Sequence, residues 1–259
     1  MHIPTNKFKL ALRESKPQIG LWVGTIDASV AELLAGIGFD WLCIDAEHSP
    51  NDVRSILAQL QALAAYPVNA VVRPVHGAQE LIKQYLDIGV QTILVPMIET
   101  PEQAAYVVAA TRYPTRGTRG VASATTRASG WGRIDRYFDK SDAEMCVVVQ
   151  VESVKGLENL AAIAAVEGVD GVFFGPADLS ASMGYLGRPK EPLVQKAMAD
   201  GIRTVRHAGK AAGTLTSDRP LAREYLALGA SFVAVGIDMS LLATAASDLA
   251  TDFLGTRGA

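Results

Sequence analysis

Short apolar runs recur along the whole chain, and each is followed by a segment whose apolar residues have helical spacing. The runs consist mainly of Val, Ile, Leu and Phe without alternating polar residues, which is typical of strands buried on both faces of a parallel sheet. They are IGLWVG, WLCIDA, NAVVRP, TILVPMI, CVVVQV, GVFFGP, AAGTLT and FVAVGI. This pattern predicts eight βα units.

Glycines separate several predicted helices from the strands that follow, at Gly38, Gly89, Gly168 and Gly229. Glycine suits the left-handed conformation that ends a helix before a tight turn. Eight parallel strands alternating with helices close most naturally into a (β/α)8 TIM barrel, so we predict a single α/β barrel domain over residues 1–259. A doubly wound open sheet is the alternative. However, no G-x-G-x-x-G loop follows the first strand to hold a dinucleotide.

One connection is much longer than the others, at about residues 114–143, and it carries five arginines. Long connections in compact domains are usually lids, binding loops or subunit contacts. We expect this loop, with Arg116, Arg119 and Arg127, to influence substrate selectivity. The last predicted helix, LLATAASDLATDFLG, is apolar enough either to cover its own barrel or to be exchanged between subunits.

The composition narrows the class of protein. The 24 basic and 27 acidic residues show no cationic excess, so nucleic acid is not an expected partner. No run approaches the roughly 20 apolar residues of a membrane span, which favours a cytoplasmic protein without a membrane partner. Cys43 and Cys146 lie within strand-like runs, where we expect buried thiols rather than redox groups.

Two carboxylates follow neighbouring predicted strands, Glu152 after CVVVQV and Asp178 after GVFFGP. Acidic side chains that face one cleft repel each other, and such pairs usually persist where a cation lies between them. Without a cluster of His or Cys, a hard cation such as Mg²⁺ or Mn²⁺ is favoured. The alternatives are an ion pair between Glu152 and a Lys or Arg, and a helix N-cap role for Asp178 before Leu179.

Other polar residues follow the second and third predicted strands. Asp45, Glu47 and His48 follow the second strand, and Arg73 ends the third, directly before a proline. Active sites of TIM barrels lie at the carboxyl ends of the strands, so we expect these side chains to meet in one cleft. Arg73 could instead bridge the sheet to a helix. His76 is a second candidate histidine.

The residue types in and directly after the predicted strands disfavour two kinds of barrel enzyme. A Schiff-base aldolase needs a desolvated lysine inside the barrel mouth, and none of the eight runs contains a lysine. Barrels that act on phosphorylated substrates usually hold the phosphate with glycine-rich loops after the last two strands, and TLTSDRP and GIDMS lack that character. An unphosphorylated substrate is therefore expected.

Seven segments together resemble the HpcH/HpaI family of class II pyruvate aldolases, and the resemblance covers nearly the whole chain. They are GLWVGTIDASVAELLAGIGFDWLCIDAEHSPND, VVRP, TILVPM, RGTRGVASATTRAS, VVVQVES, VEGVDGVFFGPADLSASMG and FVAVGID. The resemblance implies a barrel of the phosphoenolpyruvate/pyruvate-binding type and a lyase that reversibly cleaves a 4-hydroxy-2-oxo acid through a metal-stabilised pyruvate enolate. The implied substrate is 4-hydroxy-2-oxoheptanedioate, with pyruvate and an aldehyde such as succinic semialdehyde as products in aromatic catabolism.

The resemblance also implies roles for individual residues. Glu152 and Asp178 correspond to the ligands of one divalent cation per subunit, Mg²⁺, Mn²⁺ or Co²⁺. Arg73 corresponds to the arginine that holds the pyruvate oxygen. His48 corresponds to the catalytic base, and Asp87 to its partner carboxylate.

Further positions correspond to substrate contacts and to an acid near the metal. Asp45 corresponds to a carboxylate beside the water shell of the metal. The predicted substrate-binding residues are Arg73, Gln150, Gly175, Pro176, Ala177 and Leu215.

The resemblance finally implies a homohexamer built as a trimer of dimers. Two other functions are kept open by the sequence. An aldolase for 2-keto-3-deoxy sugar acids would share the pyruvate half of the site. A non-catalytic barrel that binds an oxo acid would bind the ligand without turnover.

Overall fold

A computed structural model describes residues 1–255, so the last four residues of the predicted domain lie outside the described residues. Eight parallel strands form a closed barrel in which each strand pairs with the next and β8 pairs with β1. The strands are β1 (Gln18–Val23), β2 (Trp41–Asp45), β3 (Asn69–Arg73), β4 (Thr92–Val95), β5 (Cys146–Val151), β6 (Gly171–Phe174), β7 (Ala211–Leu215) and β8 (Phe232–Ile237). The predicted TIM barrel is confirmed, and the open sheet is excluded.

Helices surround the barrel, and most connect one strand to the next. Within the described residues they are α1 (Lys7–Arg13), α2 (Ala28–Ala35), α3 (Val53–Leu63), α4 (Gln79–Asp87), α5 (Pro101–Thr111), α6 (Tyr137–Glu144), α7 (Val154–Glu158), α8 (Leu160–Ala165), α9 (Pro176–Ser182), α10 (Pro192–His207), α11 (Arg219–Ala227) and α12 (Asp238–Leu254). None of these helices has the length and apolar character that a membrane crossing requires.

The predicted helix-ending glycines adopt positive φ angles. Gly38, Gly89, Gly168 and Gly229 have φ of 108°, 103°, 95° and 104°. These angles are accessible to glycine and costly for residues with a Cβ, so each glycine permits the turn that returns the chain to the sheet.

Helix α1 closes the amino-terminal end of the barrel. Its Phe8 ring lies 5.7 Å from both the Trp41 and the Phe232 rings, inside a buried layer that also contains Cys43 and Cys146. A Cβ on Gly213 would come within 2.2 Å of the Phe232 ring, so glycine is required there for the interior to pack. Aromatic side chains therefore fill the barrel interior at this end.

The long connection between β4 and β5 packs against α4. Arg119 donates to the carboxylate of Asp87 at 3.0 Å, and Arg127 donates to the carbonyl of Ile88 at 2.9 Å. Arg116 pairs with Asp142 at 2.8 Å. Since α4 ends at Asp87, immediately before the chain turns into β4, these contacts lie toward the amino-terminal end of the barrel, away from the mouth of the same chain.

Helix α12 extends from the barrel without covering it. Asp238 at its start is buried, and every later residue of the helix is exposed, including Leu242 and Phe253. The alternative that this helix covers its own barrel is therefore not observed. The helix points its apolar side chains into solvent in the isolated chain.

Candidate active site

A cavity of about 560 Å³ opens at the carboxyl ends of the strands. Most of the residues predicted from the sequence line it. Its predicted lining residues are Asp45, His48, Arg73, Gln150, Gly175, Pro176, Ala177, Asp178 and Leu215. The remaining walls come from residues to which the sequence analysis gave no role: Trp22, Gly24, Ser49, Pro50, Phe173, Ile237 and Met239.

Arg73 is a buried, positively charged side chain that lines this cavity. Its guanidinium donates to both carboxylate oxygens of Asp45, at 2.8 and 2.7 Å, and its Nη1 lies 2.7 Å from Oε2 of Glu47. Burial alone would raise the pKa of Asp45, but the hydrogen bonds and charge of Arg73 outweigh it and hold that pKa below its ordinary value. The alternative that Arg73 bridges the sheet to a helix is not observed, because both partners come from the end of β2 and the loop after it.

Trp22 supports the same group, and the sequence gave no signal for it beyond its place in a strand. Its indole N–H donates to Oδ2 of Asp45 at 3.2 Å, and its ring lies 4.7 Å from the guanidinium carbon of Arg73. A cation over an indole face is attracted by the ring quadrupole. Trp22 therefore fixes both members of the Arg73–Asp45 pair.

Glu47 is another residue to which the sequence analysis gave no specific role. Burial raises its pKa, against the lowering effect of the Arg73 charge. Its position two residues after Asp45 was visible in the sequence, but only the folded chain shows that its carboxylate turns toward Arg73.

Glu152 is a buried carboxylate at the end of β5, with only 2 % of its surface exposed. One oxygen accepts from the backbone N–H of Met97 at 3.0 Å, and the other accepts from the side-chain amide of Gln150. Burial raises the pKa of Glu152 to about 7, and the nearby charges of Asp178 and Glu47 add to the shift. No Lys or Arg pairs with Glu152 among the described residues, so the ion-pair alternative is not observed.

Asp178 lies inside the first turn of α9, which begins at Pro176 with Gly175 as its N-cap residue. The alternative that Asp178 caps a helix starting at Leu179 is not observed, since the helix begins earlier. Its side chain lines the cavity and is exposed.

Gly175 makes room for the acidic groups. A Cβ at this position would lie 2.2 Å from Oε2 of Glu152 and 2.9 Å from the amide nitrogen of Gln150. Both distances are shorter than real Cβ contacts, so any side chain here would displace the Glu152 carboxylate.

Glu152 and Asp178 are the pair that could hold a cation. No group of three or more His, Cys, Asp or Glu residues suited to a metal ion occurs among the described residues. The carbonyl oxygen of the Gln150 side chain, which is buried beside Glu152, has no hydrogen-bond partner within residues 1–255.

His48 and Asp87 do not meet within one chain. The His48 side chain is 66 % exposed, and its Nε2 lies 3.8 Å from Oε2 of Glu47. Asp87 instead pairs with Arg119 at the far end of α4. The predicted pairing therefore fails inside the subunit, because α4 carries Asp87 toward the opposite end of the barrel.

His76 lies outside the active-site cavity. It lines a separate groove together with Met97, Tyr106 and Val107. Its Nδ1 accepts from the backbone N–H of Ala78 at 3.2 Å.

The sequence profile of one protein family, HpcH/HpaI aldolase/citrate lyase, matches residues 18–245. The chain is 62% identical over 256 residues to a hydroxypyruvate/pyruvate aldolase of Paraburkholderia phytofirmans, with 99% of this chain and 96% of the relative covered. It is 55% identical over 248 residues to a 4-hydroxy-2-oxo-heptane-1,7-dioate aldolase of Shigella sonnei, with 96% of this chain and 95% of the relative covered.

Solved structures show the same relationship. A crystal structure of an HpcH/HpaI aldolase/citrate lyase family protein from Burkholderia cenocepacia superimposes with a TM-score of 0.92 at 42% identity, covering 96% of this chain and 99% of that chain. These similarities confirm the family predicted from the motifs and the general class of enzyme, an aldolase. The chain therefore belongs to the HpcH/HpaI aldolase/citrate lyase family.

Proposed function

We propose that this chain is a divalent-metal-dependent, class II pyruvate aldolase that reversibly cleaves a 4-hydroxy-2-oxo acid into pyruvate and an aldehyde. One observation carries the proposal: the buried guanidinium of Arg73, the carboxylates of Asp45 and Asp178, and the accessible His48 all line one cavity. Cleavage of the C3–C4 bond needs positive charge on the 2-oxo oxygen and a base for the C4 hydroxyl. The cavity supplies candidates for both tasks.

The residues present fit a hard divalent cation such as Mg²⁺, Mn²⁺ or Co²⁺. Glu152 and Asp178 would hold it, because carboxylate oxygens are the ligands these ions prefer. The elevated pKa of Glu152, about 7, reflects a buried carboxylate with no compensating positive charge. The unpartnered carbonyl oxygen of Gln150 lies beside it. When bound, the cation supplies the charge that polarises the 2-oxo group of the substrate.

Arg73 binds and stabilises the oxo oxygen of pyruvate. Its position is fixed by Asp45, Glu47 and Trp22 before any substrate enters, so it needs little reorganisation when negative charge develops. Preorganised donors of this kind typically contribute roughly 3–4 kcal/mol to the stabilisation of a developing oxyanion. Gln150 and the backbone of Gly175–Ala177 line the same side and would orient the pyruvate carboxylate.

His48 removes the proton from the C4 hydroxyl and returns it in the reverse direction. Its exposure leaves the ring free to approach a substrate in the cavity. The resemblance to the family implies that His48 pairs with Asp87. Within one chain these two residues lie toward opposite ends of the barrel, so the pair can form only between two copies of the chain. We therefore propose that pairing together with a homohexamer, a trimer of dimers, whose exposed α12 helices pack on neighbouring subunits.

The aldehyde partner is the less constrained half of the substrate. Arg73 is the one Lys or Arg among the described lining residues, and it is assigned to the pyruvate half of the substrate. The second carboxylate of 4-hydroxy-2-oxoheptanedioate thus has no dedicated cation within this chain. This favours short hydroxylated aldehydes beside succinic semialdehyde, and it keeps a 2-keto-3-deoxy sugar acid aldolase as the second candidate.

The test is to measure pyruvate formation by the purified, chelator-treated protein at neutral pH. We expect no turnover without metal, and turnover on addition of Mg²⁺, Mn²⁺ or Co²⁺, with succinic semialdehyde and glycolaldehyde compared in the aldol direction. Inactivation by borohydride in the presence of pyruvate would indicate a Schiff base and contradict the proposal. Binding of pyruvate without turnover under any metal would indicate the non-catalytic barrel.

A further inference from the structure

One wall of the active-site cavity is formed by Gly24, Ser49 and Met239, which follow strands β1, β2 and β8. These residues are in close contact. A Cβ on Gly24 would lie 3.1 Å from the Ser49 hydroxyl and 3.4 Å from the Cγ of Met239. A side chain at Gly24 would therefore press against Ser49 and Met239.

The carboxylate of Asp238 holds this wall in place through hydrogen bonds. Its Oδ1 accepts from the backbone N–H groups of Gly24 at 2.9 Å and of Met239 at 2.7 Å. Its Oδ2 accepts from Thr25 twice, from the backbone N–H at 3.0 Å and from the hydroxyl at 2.7 Å. A single carboxylate thus joins the loop after β1 to the first turn of α12.

Asp238 differs in burial from the rest of its helix. Asp238 is 5 % exposed, whereas every later residue of α12 is exposed. Within one chain, Asp238 therefore adds three hydrogen bonds to Gly24 and Thr25 to the pairing of β8 with β1, which brings this helix start beside the loop.

The wall lies apart from the residues assigned to the pyruvate carboxylate. Gln150 lies in β5 and Gly175 follows β6, and the closed strand order places β1 and β8 on the other side of the barrel. The space bounded by Gly24 and Met239 is therefore available to the second substrate.

We propose that Asp238 is a positioning residue for the aldehyde: it holds Gly24 and Met239 as the wall against which the aldehyde side chain packs, and so determines aldehyde affinity without contacting substrate. The inference rests on the proposed aldolase function. It assigns a role to a carboxylate that the metal site and the pyruvate site do not use.

The experiment compares Asp238→Asn with Asp248→Asn, an exposed carboxylate on the same helix. The asparagine leaves at least one buried donor of the loop unpaired, which typically costs enough to change binding about tenfold. We expect Asp238→Asn to raise the KM for aldehyde in the aldol direction about tenfold. The KM for pyruvate and the exchange rate of pyruvate methyl protons should stay at the level of the unaltered enzyme, as should all parameters of Asp248→Asn.

Two more variants keep the inference testable if Asp238→Asn folds poorly. Thr25→Val removes one of the four bonds and should raise the aldehyde KM by a smaller factor, and Thr25→Ser, which keeps the hydroxyl, should restore it. Gly24→Ala should disfavour longer aldehydes more than short ones, because the methyl group would press against Ser49 and Met239 and shift the wall.

The outcomes separate the inference from the proposed function. Equal losses of proton exchange and of aldehyde affinity in Asp238→Asn and Thr25→Val, or no change in either variant, would overturn the positioning role. Absence of metal-dependent proton exchange in the unaltered enzyme would instead overturn the aldolase function itself.

Discussion

Arg73 and Asp45 form a two-pronged ion pair, with Nε to Oδ1 at 2.8 Å and Nη2 to Oδ2 at 2.7 Å. The two residues are direct partners in the parallel pairing of β3 with β2, so the sheet register itself brings them together at the barrel mouth. Lysine cannot reproduce this fork of donors. The orientation of the Arg73 guanidinium is therefore set by the fold and does not depend on the substrate.

Replacement of Arg73 should slow both aldol cleavage and the exchange of pyruvate methyl protons. We expect Arg73→Lys to lower aldol cleavage and the exchange of pyruvate methyl protons by roughly 100- to 1000-fold, because both require stabilisation of the same enolate charge. Arg73→Ala should lower both further. Cleavage is measured as pyruvate release and exchange by NMR in deuterated water. Proton exchange at the unaltered rate in Arg73→Ala would contradict the role given to this residue.

Replacement of His48 should separate the two reactions. We expect His48→Ala to lower cleavage by roughly 100-fold or more, the usual contribution of a general base, while exchange falls much less. Only cleavage requires removal of the C4 hydroxyl proton. The matched control is His76→Ala, which alters a histidine outside the cavity and should leave both rates unchanged. If the two rates fall equally in His48→Ala, another group is the base.

Glu152 should make the metal-free protein less stable as pH rises. Its pKa is about 7 in the folded protein against an ordinary value of 4.5, so the folded state binds more protons between these values. The free energy of unfolding should therefore decrease through this window by about 3 kcal/mol. Thermal unfolding of chelator-treated protein across this range measures the effect.

The matched variants for this prediction are Glu152→Gln and Glu158→Gln, the latter an exposed carboxylate on α7. Glu152→Gln should lack the pH-dependent decrease, so that it exceeds the unaltered protein in stability above pH 7, and it should gain no stability from added Mg²⁺ or Mn²⁺. Glu158→Gln should behave as the unaltered protein does. A pH profile shared by all three proteins would assign the titration elsewhere.

Gly175→Ala should damage the metal site without unfolding the protein. The new methyl group would overlap Oε2 of Glu152 and push the carboxylate out of place, so we expect the metal concentration for half-maximal activity to rise by at least about tenfold. Gly36→Ala is the control, because a Cβ at Gly36 meets only ordinary contacts at 3.6 Å or more. Unchanged metal dependence in Gly175→Ala would place the cation elsewhere.

Much of the cavity could be predicted from the sequence because TIM barrels place strand ends at one mouth. Arg73, Asp45 and Asp178 follow the apolar runs directly, so a correct count of strands was enough to bring them together. Trp22 and Asp238 gave no such signal. Their importance comes from hydrogen bonds to residues 23 and more than 200 positions away, which no local pattern records.

The sequence by itself determined the barrel, its eight strands, the glycine turns and the side chains available at the mouth, because hydrophobic periodicity and backbone conformational preference are local properties. Only the tertiary structure decided how those side chains are used. It turned Glu47 toward Arg73, buried Glu152 deeply enough to raise its pKa, carried Asp87 away from His48, and left α12 exposed. Desolvation and the direction of a side chain depend on every element packed around it, and that information exists only in the folded chain.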